Sequence, residues 1–341
     1  MKKIIHLIPF DAPGGVETAA LSAPHIQEAA FDFQLQVLFP GELNRALRRR
    51  SFNPVVYVAA ALRLAAEAPD ILIVSLWRGA IVGVLCKLLR PRTKLVVFLH
   101  LAKRVHFADK WATRVAMSLA TEVWSDSRAT MEATFPRLPR NRSRVISYLP
   151  RKFRPVTSAC PGPAFVFWGR LARQKNLQRA IKIFTEVRGQ FGAARFLVIG
   201  PDGGELSALR QRCRTLGVHD AVVFLGPKSQ DELPDFARQA SFFLLTSEFE
   251  GMGLVVVEAM QMGLVPVVTR VGEVGEYCRD GVNAVVIDRD EQAAAEIVAA
   301  IQAPELFKRL RANAIAAWSD KPSYRDDLLA NCRRLLVLNT P

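Results

Sequence analysis

Cysteine is scarce in this chain. The 341 residues hold five, at positions 86, 160, 213, 278 and 332. No two stand at a metal-ligand or redox spacing, which argues against a zinc site or a disulfide framework. Scattered single cysteines fit a reduced cytosol, where they serve as small apolar residues. A secretory leader is also not evident, because Met1-Lys2-Lys3 is followed by only five apolar or near-apolar residues before Pro9. Long apolar runs are lacking too. The longest, Ile71 to Leu89, is interrupted by Arg78 and Lys87, so it reads as a strand followed by a helix rather than a membrane span. There is no low-complexity tract, no repeat of short period, and no helix-turn-helix, zinc or RNP-type signature.

What is present is apolar substance and positive charge. Half of the residues are apolar and the net charge is +14. The length suits two domains, each burying its own core. The charge is uneven: residues 1–150 carry 21 Lys and Arg against 11 Asp and Glu. A basic half implies an anionic partner, with nucleic acid, an anionic lipid surface and a phosphorylated ligand as candidates. General solubility is the plainer reading.

Short apolar runs alternate with helical patterns. Strands are predicted at Ile4–Ile8, Leu35–Phe39, Ile71–Leu76, Leu95–Leu99 and Val123–Ser125, with helices such as Val55–Glu67 and Lys110–Leu119 between them. The runs are continuously apolar, as for strands buried on both faces of a parallel sheet. Residues 149–163, LPRKFRPVTSACPGP, hold four prolines and no apolar period, and read as a linker. A second series follows at Ala164–Trp168, Phe196–Ile199, Val222–Leu225, Phe242–Thr246, Val265–Thr269 and Ala284–Ile287. The expected fold class is therefore α/β, with two Rossmann-like doubly wound domains. The expected bounds are 1–155 and 156–321, with a final helix near Tyr324–Leu336, in the segment 322–341. Ligands of such sheets bind beyond the carboxyl ends of the strands, and the cleft between two facing sheets is the natural site.

Three segments carry chemistry. Pro13-Gly14-Gly15-Val16-Glu17 follows the first strand and opens a helix. Paired glycines let backbone approach a ligand, and a helix N-terminus favours an anion; a plain strand-to-helix turn is the other reading. Gly169-Arg170-Leu171-Ala172-Arg173-Gln174-Lys175-Asn176 follows the first strand of the second series. Arg170 can fork onto a phosphate and Lys175 adds a compact charge, as a diphosphate would need; a solvated basic loop is the alternative. Glu248-Phe249-Glu250-Gly251-Met252-Gly253-Leu254 leads into a helix that carries Glu258. Gly251 and Gly253 would turn amides outward there, while Glu250 and Glu258 could accept from sugar and ribose hydroxyls. Acidic helix-end decoration accounts for Glu248 but not for the paired glycines. Asp288-Arg289-Asp290 has a D-x-D spacing, yet it stands before a helix, where an N-cap role for Asp290 is the simpler reading.

Together these segments resemble a family 4 retaining glycosyltransferase of GT-B fold, most strongly from Phe165 to Ile287. Glu250 and Glu258 resemble that family's paired-glutamate motif, GRLARQKN its arginine–lysine diphosphate clamp, and Gly14-Gly15-Val16-Glu17 its first acceptor-side loop. Gly272-Glu273-Val274-Gly275-Glu276 and Asp280-Gly281-Val282-Asn283 resemble segments beyond the glutamate motif. The departures are a short first half and His100, which stands where the family often has a histidine near the transferred sugar but is followed by the unmatched Leu101-Ala102-Lys103-Arg104.

The resemblance implies a nucleotide-sugar donor, UDP- or GDP-linked, held mainly by the second domain. Arg170 and Lys175 would hold the diphosphate, Glu250 the sugar and Glu258 the ribose, with the amides of Gly251, Met252, Gly253 and Leu254 completing the cradle. Gly14, Gly15 and Glu17 would lie on the acceptor side, and His100 beside the sugar or the incoming hydroxyl. The resemblance implies no metal and no cofactor beyond the substrate nucleotide. Transfer would retain configuration by front-face attack. The basic first half suggests a glycan or lipid-linked acceptor at an anionic inner-membrane surface, hence a cytoplasmic protein peripheral to that membrane face. Lys103–Ala120 would supply the contact through Lys103, Arg104, Lys110 and Arg114; a core-packed helix with a solvated basic face is the alternative. His6 and His25 read as structural. Rival readings are a sugar-nucleotide epimerase or phosphorylase of the same fold, and a basic nucleic-acid-binding protein.

Overall fold

A computed structural model describes residues 1–11, 15–41, 50–100, 107–127, 130–132, 140–156 and 162–337. Gly14, Lys103, Arg104 and Cys160 lie outside the described residues. The chain forms two compact units, Met1–Arg151 with Pro322–Pro341, and Lys152–Lys321.

The first unit is built on a seven-stranded sheet in the order β2-β3-β1-β4-β5-β6-β7. Its strands are β1 (Lys2–Phe10), β2 (His25–Gln27), β3 (Phe31–Phe39), β4 (Ile71–Ser75), β5 (Lys94–Leu99), β6 (Glu122–Ser125) and β7 (Ser143–Val145). All pairings are parallel except β2 on β3. The five runs read from sequence are β1 and β3 to β6. The two short strands flank them: in β2 the alternation of exposed His25, buried Ile26 and exposed Gln27 gives no continuous apolar run. The middle strands are apolar because both faces are covered; every residue of β4 is buried. The helix Pro54–Glu67 starts where Asn53 accepts a hydrogen bond from the Val55 amide, with proline in the first turn. It turns Tyr57, Ala60, Ala61 and Leu64 inward.

The helix Tyr324–Val337 belongs to this unit. Its Tyr324 amide donates to the Leu149 carbonyl at 2.8 Å, and Asp327 accepts from the Ser147 amide at 2.6 Å. Tyr324 and Leu328 are buried, and Arg334 pairs with Glu122 of β6.

The second unit holds six parallel strands in the order β10-β9-β8-β11-β12-β13. They are β8 (Ala164–Trp168), β9 (Arg195–Ile199), β10 (Val222–Gly226), β11 (Phe242–Leu245), β12 (Val265–Thr269) and β13 (Val285–Ile287). A buried aromatic stack crosses the sheet, with the Phe165 and Phe242 rings 5.3 Å apart and Phe165 set edge-on to Phe184. The expected linker is not all linker. Val156 is buried and donates its amide to the Met262 carbonyl, and Phe153 packs on the same core. The unit therefore begins at Lys152, because two apolar side chains among the prolines find burial there.

Candidate active site

In the second unit the candidate residues lie beyond the carboxyl ends of β8 and β11, as an open parallel sheet requires. The segment after β8 is held from below. The Gly169 amide donates to the Ile199 carbonyl, Leu171 to Pro201, and Gly203 back to Leu171. Arg170 is thereby raised into solvent, exposed and without an ion pair among the described residues. Lys175 is not free. Its Nζ bonds Glu250 Oε1 at 2.6 Å, with the two side chains 15% and 8% exposed. Ser247 Oγ donates to the same oxygen at 2.6 Å. The structure thus joins two residues to which the resemblance gave separate tasks. An ammonium has three donors, so Lys175 keeps two for another acceptor. Glu250 keeps Oε2, which takes no hydrogen bond among the described residues.

The loop after β11 is pinned on both sides. The Glu248 amide donates to the Gln174 carbonyl, and Gln174 Nε2 donates to the Phe249 carbonyl at 2.8 Å. On the other side the Glu273 amide donates to the Gly251 carbonyl, and Tyr277 OH donates to the Met252 carbonyl at 2.8 Å. Two glycines are required by this packing. Gly253 has φ +63°, and a Cβ there would meet Val274 Cγ2 at 2.4 Å. Gly272 has φ +52°, and its Cβ would lie 2.1 Å from the Glu250 carbonyl oxygen. Gly251 differs: nothing lies within 4 Å of the space a Cβ would fill, so it leaves open space rather than satisfying a crowded turn.

The amides of Gly251, Met252 and Gly253 donate to no group among the described residues. Three consecutive N–H groups thus stand without an acceptor just before the helix Leu254–Met262, at the positive end of its dipole. Glu258, within that helix, is buried. Its Oε2 accepts from Trp168 Nε1 at 2.9 Å and its Oε1 from Gln230 Nε2 at 3.2 Å. Trp168 and Gln230 were not marked by the sequence reading; the position of Trp168 at the end of β8 was the available signal.

Asp290 does not cap its helix. The cap is Arg289, with no side-chain bond, and Asp290 is the first helical residue. Its carboxylate is engaged by Arg179 at 2.6 Å and Lys182 at 3.2 Å, cations from the neighbouring helix Leu177–Gln190 that outcompeted the local backbone amides. Among the described residues no three His, Cys, Asp or Glu side chains converge as a metal-ligand set.

In the first unit, four neighbouring strands deliver one buried polar ladder, three of its groups from strand ends and His6 from the middle of β1. His100 follows β5, and its Nε2 lies 2.9 Å from Ser75 Oγ at the end of β4. The same hydroxyl lies 2.8 Å from Nε2 of His6, in β1. Nδ1 of His100 is 3.7 Å from Asp126, just past β6. One hydroxyl proton can satisfy only one of two imidazoles, so Ser75 donates to one Nε2 and accepts from the other. Burial, and then the charge of His100, push the His6 pKa down from 6.5 to about 3, so His6 is neutral. The next residue, Leu76, has φ +60°, a left-handed conformation that a leucine rarely adopts. Glu17 sits half-buried on the helix Gly15–Leu21. Burial raises its pKa, opposed by a backbone hydrogen bond and by His100. His6 shares this hydroxyl with the candidate His100. Ser75 and Asp126 were missed because each is an ordinary residue at a strand end, joined to the others only by the fold. His25 lies 3.5 Å from Asp32 on the neighbouring strand.

The helix Phe107–Leu119 buries Ala112, Ala116 and Met117 and exposes Lys110, Trp111 and Arg114. No helix among the described residues is long and apolar enough to cross a membrane.

Known proteins resemble this arrangement. Residues 152–317 match the family model of glycosyl transferases group 1. A GDP-mannose:cellobiosyl-diphosphopolyprenol alpha-mannosyltransferase of Komagataeibacter xylinus is 31% identical over 168 residues, 47% of this chain and 42% of that protein. A D-inositol 3-phosphate glycosyltransferase of Acidothermus cellulolyticus is 29% identical over 192 residues, 51% of this chain and 43% of that protein. The chain thus spans under half the length of these curated relatives. Among solved structures, HepE of Anabaena in complex with UDP and glucose gives a TM-score of 0.73 at 20% identity, covering 99% of this chain and 100% of that one. A glycosyltransferase of Rickettsia africae gives 0.76 at 14% identity, covering 100% and 99%. At these identities the likeness shows the fold, which is GT-B. The match to the group 1 glycosyl transferases thus spans the second unit, residues 152–317.

Proposed function

We propose that the protein is a family 4 retaining hexosyltransferase that moves a sugar from a UDP- or GDP-sugar to a glycan or lipid-linked acceptor in cell-surface polysaccharide synthesis. The observation that carries this reading is the trio of amides at Gly251–Gly253 that find no acceptor among the described residues, on the loop whose Glu250 is paired with Lys175 of the loop after β8. A nest of N–H groups, a cation with donors to spare and the exposed Arg170 suit a diphosphate; the open oxygen of Glu250 suits a hydroxyl.

In this reaction the acceptor oxygen forms a bond to the anomeric carbon as the bond from that carbon to the diphosphate oxygen breaks. The electron pair leaves with the nucleoside diphosphate, and the acceptor proton passes to its departing oxygen on the same face of the sugar. Arg170, Lys175 and the amides would stabilise the growing phosphate charge, so no metal is required. Glu258 would take the ribose once Gln230 yields its hydrogen bond. Glu17, His100 and the Gly14-Gly15 turn would serve the acceptor side. The protein would work in the cytoplasm at the membrane face.

Kinetics and calorimetry on two variants test the roles. Glu258→Gln should raise the donor constant, with less effect on turnover, and should weaken binding of free nucleotide. Glu250→Gln should leave nucleotide binding nearly intact and slow transfer. Loss of nucleotide binding in Glu250→Gln but not in Glu258→Gln would reverse the two assignments; no effect of either would remove the pair from the site.

A further inference from the structure

Outside the candidate site the first unit carries an apolar groove of about 340 Å³ between the helices Pro54–Glu67 and Leu76–Leu89. Phe52, Tyr57, Val58, Trp77, Ile81 and Leu85 line it. Phe52 is 73% and Val58 49% exposed, large apolar surface left in water. The apolar surface continues past the groove along both helices, through Val55, Leu62, Leu88 and Leu89, all at least half-exposed.

One cation stands at the end of the groove. The Arg78 guanidinium lies 4.2 Å from the centre of the Trp77 ring and 5.4 Å from those of Phe10 and Phe52. It donates to Ser51 Oγ at 3.3 Å and forms no ion pair among the described residues. Aromatic faces hold an arginine in place without neutralising it, so its charge remains available to an anion. The segment that holds both helices is basic as a whole: residues 50–94 carry seven Lys and Arg against two Asp and Glu.

We infer that this groove takes the hydrocarbon chain of an anionic membrane lipid, with the lipid phosphate on Arg78. A chain needs apolar walls and no hydrogen bonds, which is what the groove offers. A phosphate needs an unneutralised cation at one end of those walls, which is what Arg78 offers. The apolar rows on either side then rest against the bilayer, with the basic residues toward its anionic surface. This deepens the proposed function on its lipid side and rests on that reading for its purpose. It also moves the membrane contact from the Lys110–Arg114 face to the two preceding helices. The groove lies near the carboxyl ends of β1 and β4, since Phe10 ends one and Trp77 and Arg78 follow the other. A lipid held there would have its headgroup beside the strand ends that carry Ser75.

Brominated lipids test this directly, because bromine quenches tryptophan fluorescence on contact and Trp77 lines the groove. The full chain is mixed with phosphatidylcholine vesicles brominated along the acyl chains, with and without brominated phosphatidylglycerol. Quenching should appear with phosphatidylglycerol, survive Trp111→Phe and be lost in Trp77→Phe. Val58→Asp, at an exposed position that tolerates the change, should weaken vesicle affinity about tenfold or more. Arg78→Gln should weaken it about fivefold for phosphatidylglycerol vesicles only. Calorimetric nucleotide binding, measured on the same samples, should be unchanged in all variants. Quenching that persists in Trp77→Phe and Val58→Asp would overturn the inference. So would a dimer, seen by light scattering, that Val58→Asp dissolves without any change in vesicle binding. Absence of nucleotide binding in the unaltered protein would instead count against the proposed function and leave the vesicle result to be judged by itself.

Discussion

The two units solve the problem of presenting polar groups in opposite ways. In the second, the functional groups sit in two contiguous stretches, 169–176 and 247–258, and reach outward. Arg170 is exposed, three amides are unspent, and the Lys175–Glu250 pair keeps open valences. In the first, Ser75, His100 and Asp126 from three strand ends and His6 from mid-strand face one another in the interior. Among the described residues, Nδ1 of both histidines and Oδ1 of Asp126 find no hydrogen-bond partner. A buried polar group without a partner is costly, and such groups persist where the fold overdetermines them. The second unit holds the proposed anion receptor; the first keeps an underbonded polar interior.

That contrast can be broken most forcefully at Gly272. A Cβ there meets backbone oxygens of Glu250 and Gly251, so Gly272→Ala must displace the amide-bearing loop. Nucleotide binding by calorimetry should be abolished, with a stability loss of about 2–4 kcal/mol by thermal unfolding.

Next come the two cations of the receptor, which the structure separates. Either Arg170→Ala or Lys175→Ala should slow transfer on the order of a hundredfold, from about 3 kcal/mol of lost charge stabilisation. Only Lys175→Ala should also lower the melting temperature, because it strands the Glu250 carboxylate at 8% exposure. Equal thermal behaviour of the two variants would contradict the observed pairing.

The first unit should show its character through pH. The native His6 pKa of about 3 lies below the unfolded value of 6.5. Below pH 6.5 the unfolded chain binds a proton that the native state refuses, so His6 costs stability progressively as pH falls toward 3. The slope from this one group is about 1.4 kcal/mol per pH unit. Denaturant unfolding between pH 7 and pH 5 should show it, and His6→Asn should flatten it. Ser75→Ala, which removes the shared hydroxyl, should cost about 1–3 kcal/mol near neutral pH. The smallest effect belongs to the D-x-D segment. Asp290→Asn loses a partly exposed ion pair with Arg179 and Lys182, worth at most about 1 kcal/mol. Transfer should be unaltered in that variant and in excess chelator.

Legibility followed the same division. The strands of both units could be read within a few residues because doubly covered parallel strands are continuously apolar, as in Phe242–Leu245. The edge strands His25–Gln27 and Ser143–Val145 were not legible: three-residue pairings at a sheet margin carry no such run. Local motifs singled out Arg170, Lys175, Glu250 and Glu258, since a loop and the helix it opens keep their residues adjacent in sequence. They did not reveal that Lys175 and Glu250 would meet, 75 residues apart. The ladder of His6, Ser75, His100 and Asp126 spans four strands, and only His100 stood out. A serine ending an apolar run has no local mark; it acquires one when the sheet sets two histidines beside it.

The central claim is that the loops after β8 and β11 form a metal-independent receptor for a nucleoside diphosphate. Titration calorimetry with UDP and with GDP, in buffer containing EDTA, tests it most directly. One of the two nucleotides should bind the unaltered protein with the chelator present, and Arg170→Ala should weaken that binding without lowering the melting temperature. Binding that appears only on adding magnesium or manganese, or that is indifferent to Arg170→Ala and Gly272→Ala together, would contradict the claim.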